Sequence, residues 1–209
     1  MKYSTTVTSN IILDLIKRRK GEYTEFIFLV YKDIMEKSSR KLVLTAFFIA
    51  LGFILPFFTG QIPSIGNKLL PMHIPILLCG FVCGWRYGLI AGFITPITRS
   101  LIYGMPPMFI AVSMAFELAA YGLIAGFLYQ KLAKTKTNLF ISLISAMIGG
   151  RIVWGIVSYF IYGMNNVPFG LEIFIGGAFI NAIPGIIIQI IIIPIIITAL
   201  EKAKAIENV

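Results

Sequence analysis

From residue 41 onward the apolar residues run in blocks interrupted by charge, glycine or proline, at about 41–58, 71–84, 88–103, 106–132, 138–162 and 171–199. A helical crossing of an average bilayer takes about 20 apolar residues, so the pattern predicts an all-α polytopic membrane protein with six transmembrane helices and little chain left for a catalytic domain. The second and third blocks are short, and only Trp85-Arg86-Tyr87 separates them, which predicts a tight helical hairpin that is tilted or locally broken. Pro184 and Pro194 in the last block predict kinks, because packed neighbours can take up the carbonyls a proline frees.

Residues 1–40 read as a basic, amphipathic N-terminal extension on the cytoplasmic side. Within it, 11–20 and 23–37 are too short to cross a membrane but suit interfacial helices on anionic headgroups, with a partly disordered basic arm as the alternative. Lys17, Arg18, Arg19 and Lys20 are followed by no long apolar core before Lys41, so the stretch does not read as a cleaved signal peptide. The expected organisation is the extension 1–40, a membrane domain 41–200 and a cytoplasmic tail 201–209.

Composition agrees with the pattern. The 209 residues are 58% hydrophobic and 13% charged, against roughly 25% charged in soluble domains, which excludes a water-soluble fold. The net charge of +9 reads as topology and not as nucleic-acid binding. Nine basic residues up to Lys41, then Arg86, then Lys131, Lys134 and Lys136, then Lys202 and Lys204 fall on one side, and the loops of the other side hold only Lys68. Both termini are therefore expected in the cytoplasm.

Most membrane enzymes are excluded by what is missing. Between residues 41 and 200 the only carboxylates are Glu117 and Glu172, and His73 is the only histidine of the chain. Paired-carboxylate and zinc chemistry need more than this, and neither a nucleophile elbow nor a phosphate-binding loop is present. Cys79 and Cys83, one helical turn apart, read as packing residues, so no metal and no cofactor is expected.

The polar residues inside apolar blocks are the candidates for chemistry, because each is costly there. Arg99 lies near the outer end of the third block, and Glu117, Arg151 and Asn181 fall at matching depth, roughly 15 Å below the outer surface. His73 and the loop residues Gln61, Asn67, Tyr103, Asn165 and Asn166 lie above them. This distribution predicts a polar pocket opening outward, with His73, Arg99, Glu117, Arg151, Asn181 and Asn67 as ligand contacts. Glu117 can pair with Arg99 or Arg151, simply holding the bundle together; either choice leaves one arginine, which needs a ligand anion, a water-filled cavity or carbonyl partners, and a ligand carboxylate or phosphate would match its guanidinium. Trp154, one turn from Arg151, can stack on a ring or simply pack. Small residues at spacings of four (Gly80, Gly84, Gly88, Gly92; Gly122, Gly126; Ser142, Ala146, Gly150) predict close helix approach.

Several of these motifs together resemble the substrate-binding S component of energy-coupling factor (ECF) transporters. They are Ala46-x-x-x-Ala50, the long loop 59–70, Leu70-Pro71-Met72-His73-Ile74-Pro75, Gly80-x-x-x-Gly84-Trp85-Arg86-Tyr87-Gly88, Met105-Pro106-Pro107 and Phe116-Glu117-Leu118-Ala119-Ala120-Tyr121-Gly122, spread over about residues 40–200. The resemblance implies a six-helix bundle in a prokaryotic plasma membrane that captures a vitamin or related micronutrient near the outer face. It also implies delivery through a membrane-embedded T component and two cytoplasmic ATPases, with Ala46 and Ala50 against the T component. The extension to residue 40 is longer than the family pattern. A rival reading is an ion-coupled secondary carrier in which Glu117 takes up a proton, although the six blocks show no clear inverted repeat. An enzyme or assembly factor with an unfamiliar site is the third, held back by the missing carboxylate pair.

Overall fold

The structure is a computed structural model that describes residues 36, 38–58, 68–164 and 169–203. Expectations for the N-terminal extension up to residue 35, for Gln61, Asn67, Asn165 and Asn166, and for the end of the tail lie outside the described residues. The chain divides into two compact units, Met1–Lys41 and Leu42–Val209. The contacts described below lie within the second.

Every regular element among the described residues is helical. They are α1 (Ser38–Phe58), α2 (His73–Cys83), α3 (Trp85–Tyr103), α4 (Met108–Lys131), α5 (Lys136–Met164), α6 (Leu171–Ile175), a π-helical turn (Gly176–Ile180) and α7 (Ile183–Lys202). The first five elements and the broken column Leu171–Lys202 make a six-column bundle. Four columns, namely α1, α4, α5 and Leu171–Lys202, are long and apolar enough to cross a membrane, whereas α2 has only 11 residues.

The side-chain distribution is that of a membrane bundle. On α5, Ser142, Ala146, Gly150, Arg151 and Ser158 are buried, while Ile148, Ile152 and Ile156 are exposed along a stripe of four-residue spacing. On α7, Gly185 and Gln189 are buried and Ile187, Ile191 and Ile195 face outward. Small and polar groups inside with bulky aliphatic groups outside is stable where lipid, not water, surrounds the protein.

The central column is α4, which packs against α2, α3 and α5. Its approach to α2 and α3 is closed by glycine. A Cβ added to Gly80 would stand 2.6 Å from the carbonyl oxygen of Gly122, and one added to Gly88 would stand 2.7 Å from the same atom. Gly92 abuts Leu118 and Gly126 abuts Trp85 in the same way, backbone against backbone. The four-residue spacing in the sequence is thus a seam along which three helices touch.

The hairpin between α2 and α3 turns on one residue. Gly84, at φ 97° and ψ 170°, separates Cys83 from Trp85, a conformation that needs a residue without Cβ. The Trp85-Arg86-Tyr87 joint expected from the sequence is instead the first turn of α3. The last column also differs from expectation. Its break lies at Gly176–Ala182, ahead of Pro184, where the Asn181 N–H donates to the Gly176 carbonyl at 2.9 Å. Pro184 occupies the first turn of α7, where a missing N–H leaves nothing unpaired, and Pro194 is buried within a continuous helix.

Both cysteines are free and buried, and Cys79 Sγ lies 3.8 Å from Thr45 Oγ1 of α1. Among the described residues no group of three or more His, Cys, Asp and Glu side chains gathers.

Candidate functional site

Three ionisable side chains meet inside the bundle. Glu117 Oε1 of α4 stands 2.8 Å from Arg151 Nη1 of α5 and 3.4 Å from His73 Nε2, the first residue of α2. All three are buried, with side-chain exposures of 2% for Glu117, 6% for Arg151 and 2% for His73. The sequence leaves open which arginine Glu117 takes, and the structure places it on Arg151.

The helices explain how three separate segments converge. Glu117 lies nine residues past Met108, about 14 Å along α4, and Arg151 thirteen residues before Met164, about 20 Å along α5. Because His73 meets Glu117, α2 begins partway along α4, and it runs for only 11 residues. The turn that starts it is closed by His73 N–H donating to the Leu70 carbonyl at 3.0 Å. Leu70 itself holds a φ of 51°, a left-handed conformation that disfavours a side chain by about 1–2 kcal/mol and is kept by its surroundings. Tyr121, one turn past Glu117, sets its ring edge to His73 at 5.2 Å, and the missing side chain of Gly150 makes room for it.

The cluster does not use all its hydrogen-bonding capacity. Arg151 Nε and Nη2 have no hydrogen-bond partner among the described residues. The same holds for both amide atoms of Gln189 and for Ser158 Oγ, whose side chains are fully buried. Ser158 lies two turns from Arg151 on the same face of α5. Gln189 lies one turn past Gly185, whose backbone abuts Lys68 and Leu69, the residues that lead down to His73. Neither is among the residues expected to contact ligand, although a lone glutamine in the run Gly185–Pro194 carries the same signal of a costly polar group that singles out the others.

The remaining expected contacts sit elsewhere. Arg99, 8% exposed, donates from Nη1 to the Met105 carbonyl at 3.0 Å and lies over the rings of Phe57 and Tyr103, at 5.2 and 5.8 Å from their centres. It forms its own aromatic and carbonyl nest near the end of α3, apart from Glu117. Asn181 follows the π turn with an exposed side chain that makes no hydrogen bond to the ion cluster. Asn67 lies outside the described residues.

Above Arg151 the wall is aromatic. Trp154 stacks on Phe174 with ring centres 6.2 Å apart and meets Phe169 edge-on at 5.7 Å, and Tyr162 links Phe169 to Phe109. Gly155 and Gly177 admit the rings of Phe174 and Trp154 respectively. An ion cluster with unused donors beneath an aromatic wall is an arrangement that can orient an anionic, partly flat ligand.

The family model of the substrate-specific component of ECF transporters matches residues 40–197. The chain belongs to that family. As an ECF substrate-specific component it is a binding subunit of a transporter and not an enzyme, and its apolar columns are those of a membrane protein. The matched range takes in α1 through most of α7, hence the ion cluster, the Arg99 nest and the glycine seam. No curated protein and no solved structure matches the chain.

Proposed function

We propose that this S component captures an anionic micronutrient of the vitamin class at the outer face of a prokaryotic plasma membrane and hands it to a T component driven by two cytoplasmic ATPases. The observation that carries the reading is the buried Glu117–Arg151–His73 cluster with unspent guanidinium donors, set at mid-depth in a chain of this family. Arg151 takes the ligand's carboxylate or phosphate, because guanidinium matches such groups bidentately. Glu117 and His73 hold the guanidinium in place and supply further polar contacts, and Gln189 and Ser158 complete the ring. Arg99, Asn181 and Asn67 supply further ligand contacts.

Docking on the T component falls to α1. Ala46 and Ala50 are exposed on one face, next to the exposed Val43, Phe47 and Ile54, so a small-residue patch lies open within an apolar surface. Both termini face the cytoplasm in this reading, as the distribution of lysine and arginine favours.

The test is affinity purification of the tagged chain from its host in mild detergent, with mass spectrometry of everything that accompanies it. A membrane scaffold and two ATPases in near-stoichiometric amount, together with a small anionic molecule, are expected. A chain that arrives alone and moves solute in vesicles in response to a pH gradient would overturn the reading in favour of an ion-coupled carrier.

A further inference from the structure

At the opposite end of the bundle from the aromatic wall, a groove of about 410 Å³ opens between the first turns of α5 and the last turns of α7. Its floor and walls are apolar, formed in part by Phe140, Pro194 and Ile195, with Thr198 as a single hydroxyl. Phe140 is 39% and Ile195 62% exposed, so these walls are open to whatever surrounds the bundle. Lys136 and Lys202 stand at the rim, both exposed, one at the start of α5 and the other at the end of α7.

Neither lysine is in an ion pair among the described residues, and no carboxylate lines the groove. The nearest in sequence, Glu201, accepts a hydrogen bond from the Tyr129 hydroxyl and so is turned to α4. Two ammonium groups therefore sit at the ends of two apolar columns long enough to cross a membrane, beside an apolar slot. A two-part ligand fits this arrangement, with a negative headgroup at the rim and a hydrocarbon chain below.

We propose that this groove binds one anionic phospholipid, its phosphate held by Lys136 and Lys202 and one acyl chain lying along Phe140 and Ile195. The charge at the rim selects against zwitterionic lipid, and the slot selects against a free headgroup. The site is independent of the substrate site, and its occupancy does not depend on what the protein transports.

The experiment is native mass spectrometry of the delipidated full chain in neutral detergent, titrated with phosphatidylglycerol, phosphatidylcholine or inorganic phosphate. Phosphatidylglycerol is expected to bind at one saturable site. Two lysines near a membrane surface are each worth enough that Lys136→Gln with Lys202→Gln should weaken it by on the order of tenfold or more. Lys131→Gln with Lys134→Gln removes the same charge at the same end outside the groove and should leave binding within about twofold. Ile195→Trp, which fills the slot and leaves the rim intact, should also weaken binding. Equal binding of phosphatidylcholine, equal loss in the Lys131/Lys134 variant, displacement of the lipid by inorganic phosphate, or no effect of Ile195→Trp would each overturn the proposal.

Discussion

The Glu117 carboxylate and the Arg151 guanidinium form an ion pair at 2.8 Å in the interior of the bundle, with His73 Nε2 3.4 Å from the same carboxylate oxygen. Removing one member of such a pair strands the other charge, at about 3–5 kcal/mol, whereas replacing both with apolar groups is often near neutral. Glu117→Leu and Arg151→Leu are each expected to lower the unfolding temperature in detergent sharply. The double variant is expected to recover most of that loss while binding no ligand. A double variant no more stable than the singles would show that the pair holds the bundle together in its own right.

Gln189 gives the opposite trade. Its amide is fully buried with neither polar atom partnered among the described residues, and an unsatisfied buried polar group costs about 1–3 kcal/mol. Gln189→Met keeps the length and removes the polarity. It is expected to raise the unfolding temperature of the ligand-free protein and to weaken ligand binding about tenfold, as read by thermal shift and by titration with the molecule that copurifies. A stabilised variant with unchanged affinity would remove Gln189 from the site.

On α1, the expected consequence of an open small-residue face is separable from binding. Ala46→Trp and Ala50→Trp should leave ligand affinity unchanged, since both side chains point away from the bundle interior. Complex assembly and uptake should fall by at least tenfold. Normal assembly with the scaffold subunit in both variants would place the docking face elsewhere.

Trp154 offers a direct optical report. The chain has two tryptophans, and Trp85 lies beside Arg86 at the start of α3, far along the sequence from the aromatic wall. In a Trp85→Phe background, ligand addition is expected to change Trp154 emission, because the indole sits one turn from Arg151 and stacks on Phe174. Emission that stays constant while ligand binds would take Trp154 out of contact with it.

The glycine seam is the feature least able to absorb change. Gly122 faces backbone atoms of Gly88, which cannot rotate away as a side chain would. Overpacking a core typically costs about 1–3 kcal/mol, and more where backbone must shift. Gly122→Leu should therefore abolish recovery of monodisperse protein, and Gly163→Leu, where a Cβ would meet none of the described residues, should have no effect on recovery. Gel filtration of both variants checks this.

Much of this was legible in the chain because a membrane makes polarity expensive. The columns followed from apolar runs, and His73, Glu117 and Arg151 stood out as costly groups. What hydropathy could not supply was the third dimension. The choice of Arg151 over Arg99 depends on α2 beginning partway along α4, and its 11 residues look in sequence only like a span that is too short. Asn181 shared a depth with Glu117 by counting residues, but the π turn at Gly176–Ile180 shifts the helical register and leaves it exposed. Gln189 and Ser158 carried the same polar signal and were overlooked among larger charges. The turn at Gly84 was missed because it is part of a periodic glycine stripe, and only its φ of 97° separates it from its neighbours.

Where backbones touch without intervening side chains, there are no rotamers to exchange and little free volume to redistribute. The α2–α3–α4 unit is therefore stiff, a keel on which the rest of the molecule is mounted. Any give needed to admit and release a ligand is left to the segments off the keel, above all the strip from Leu171 through the π turn to Ala182, where the helix changes pitch.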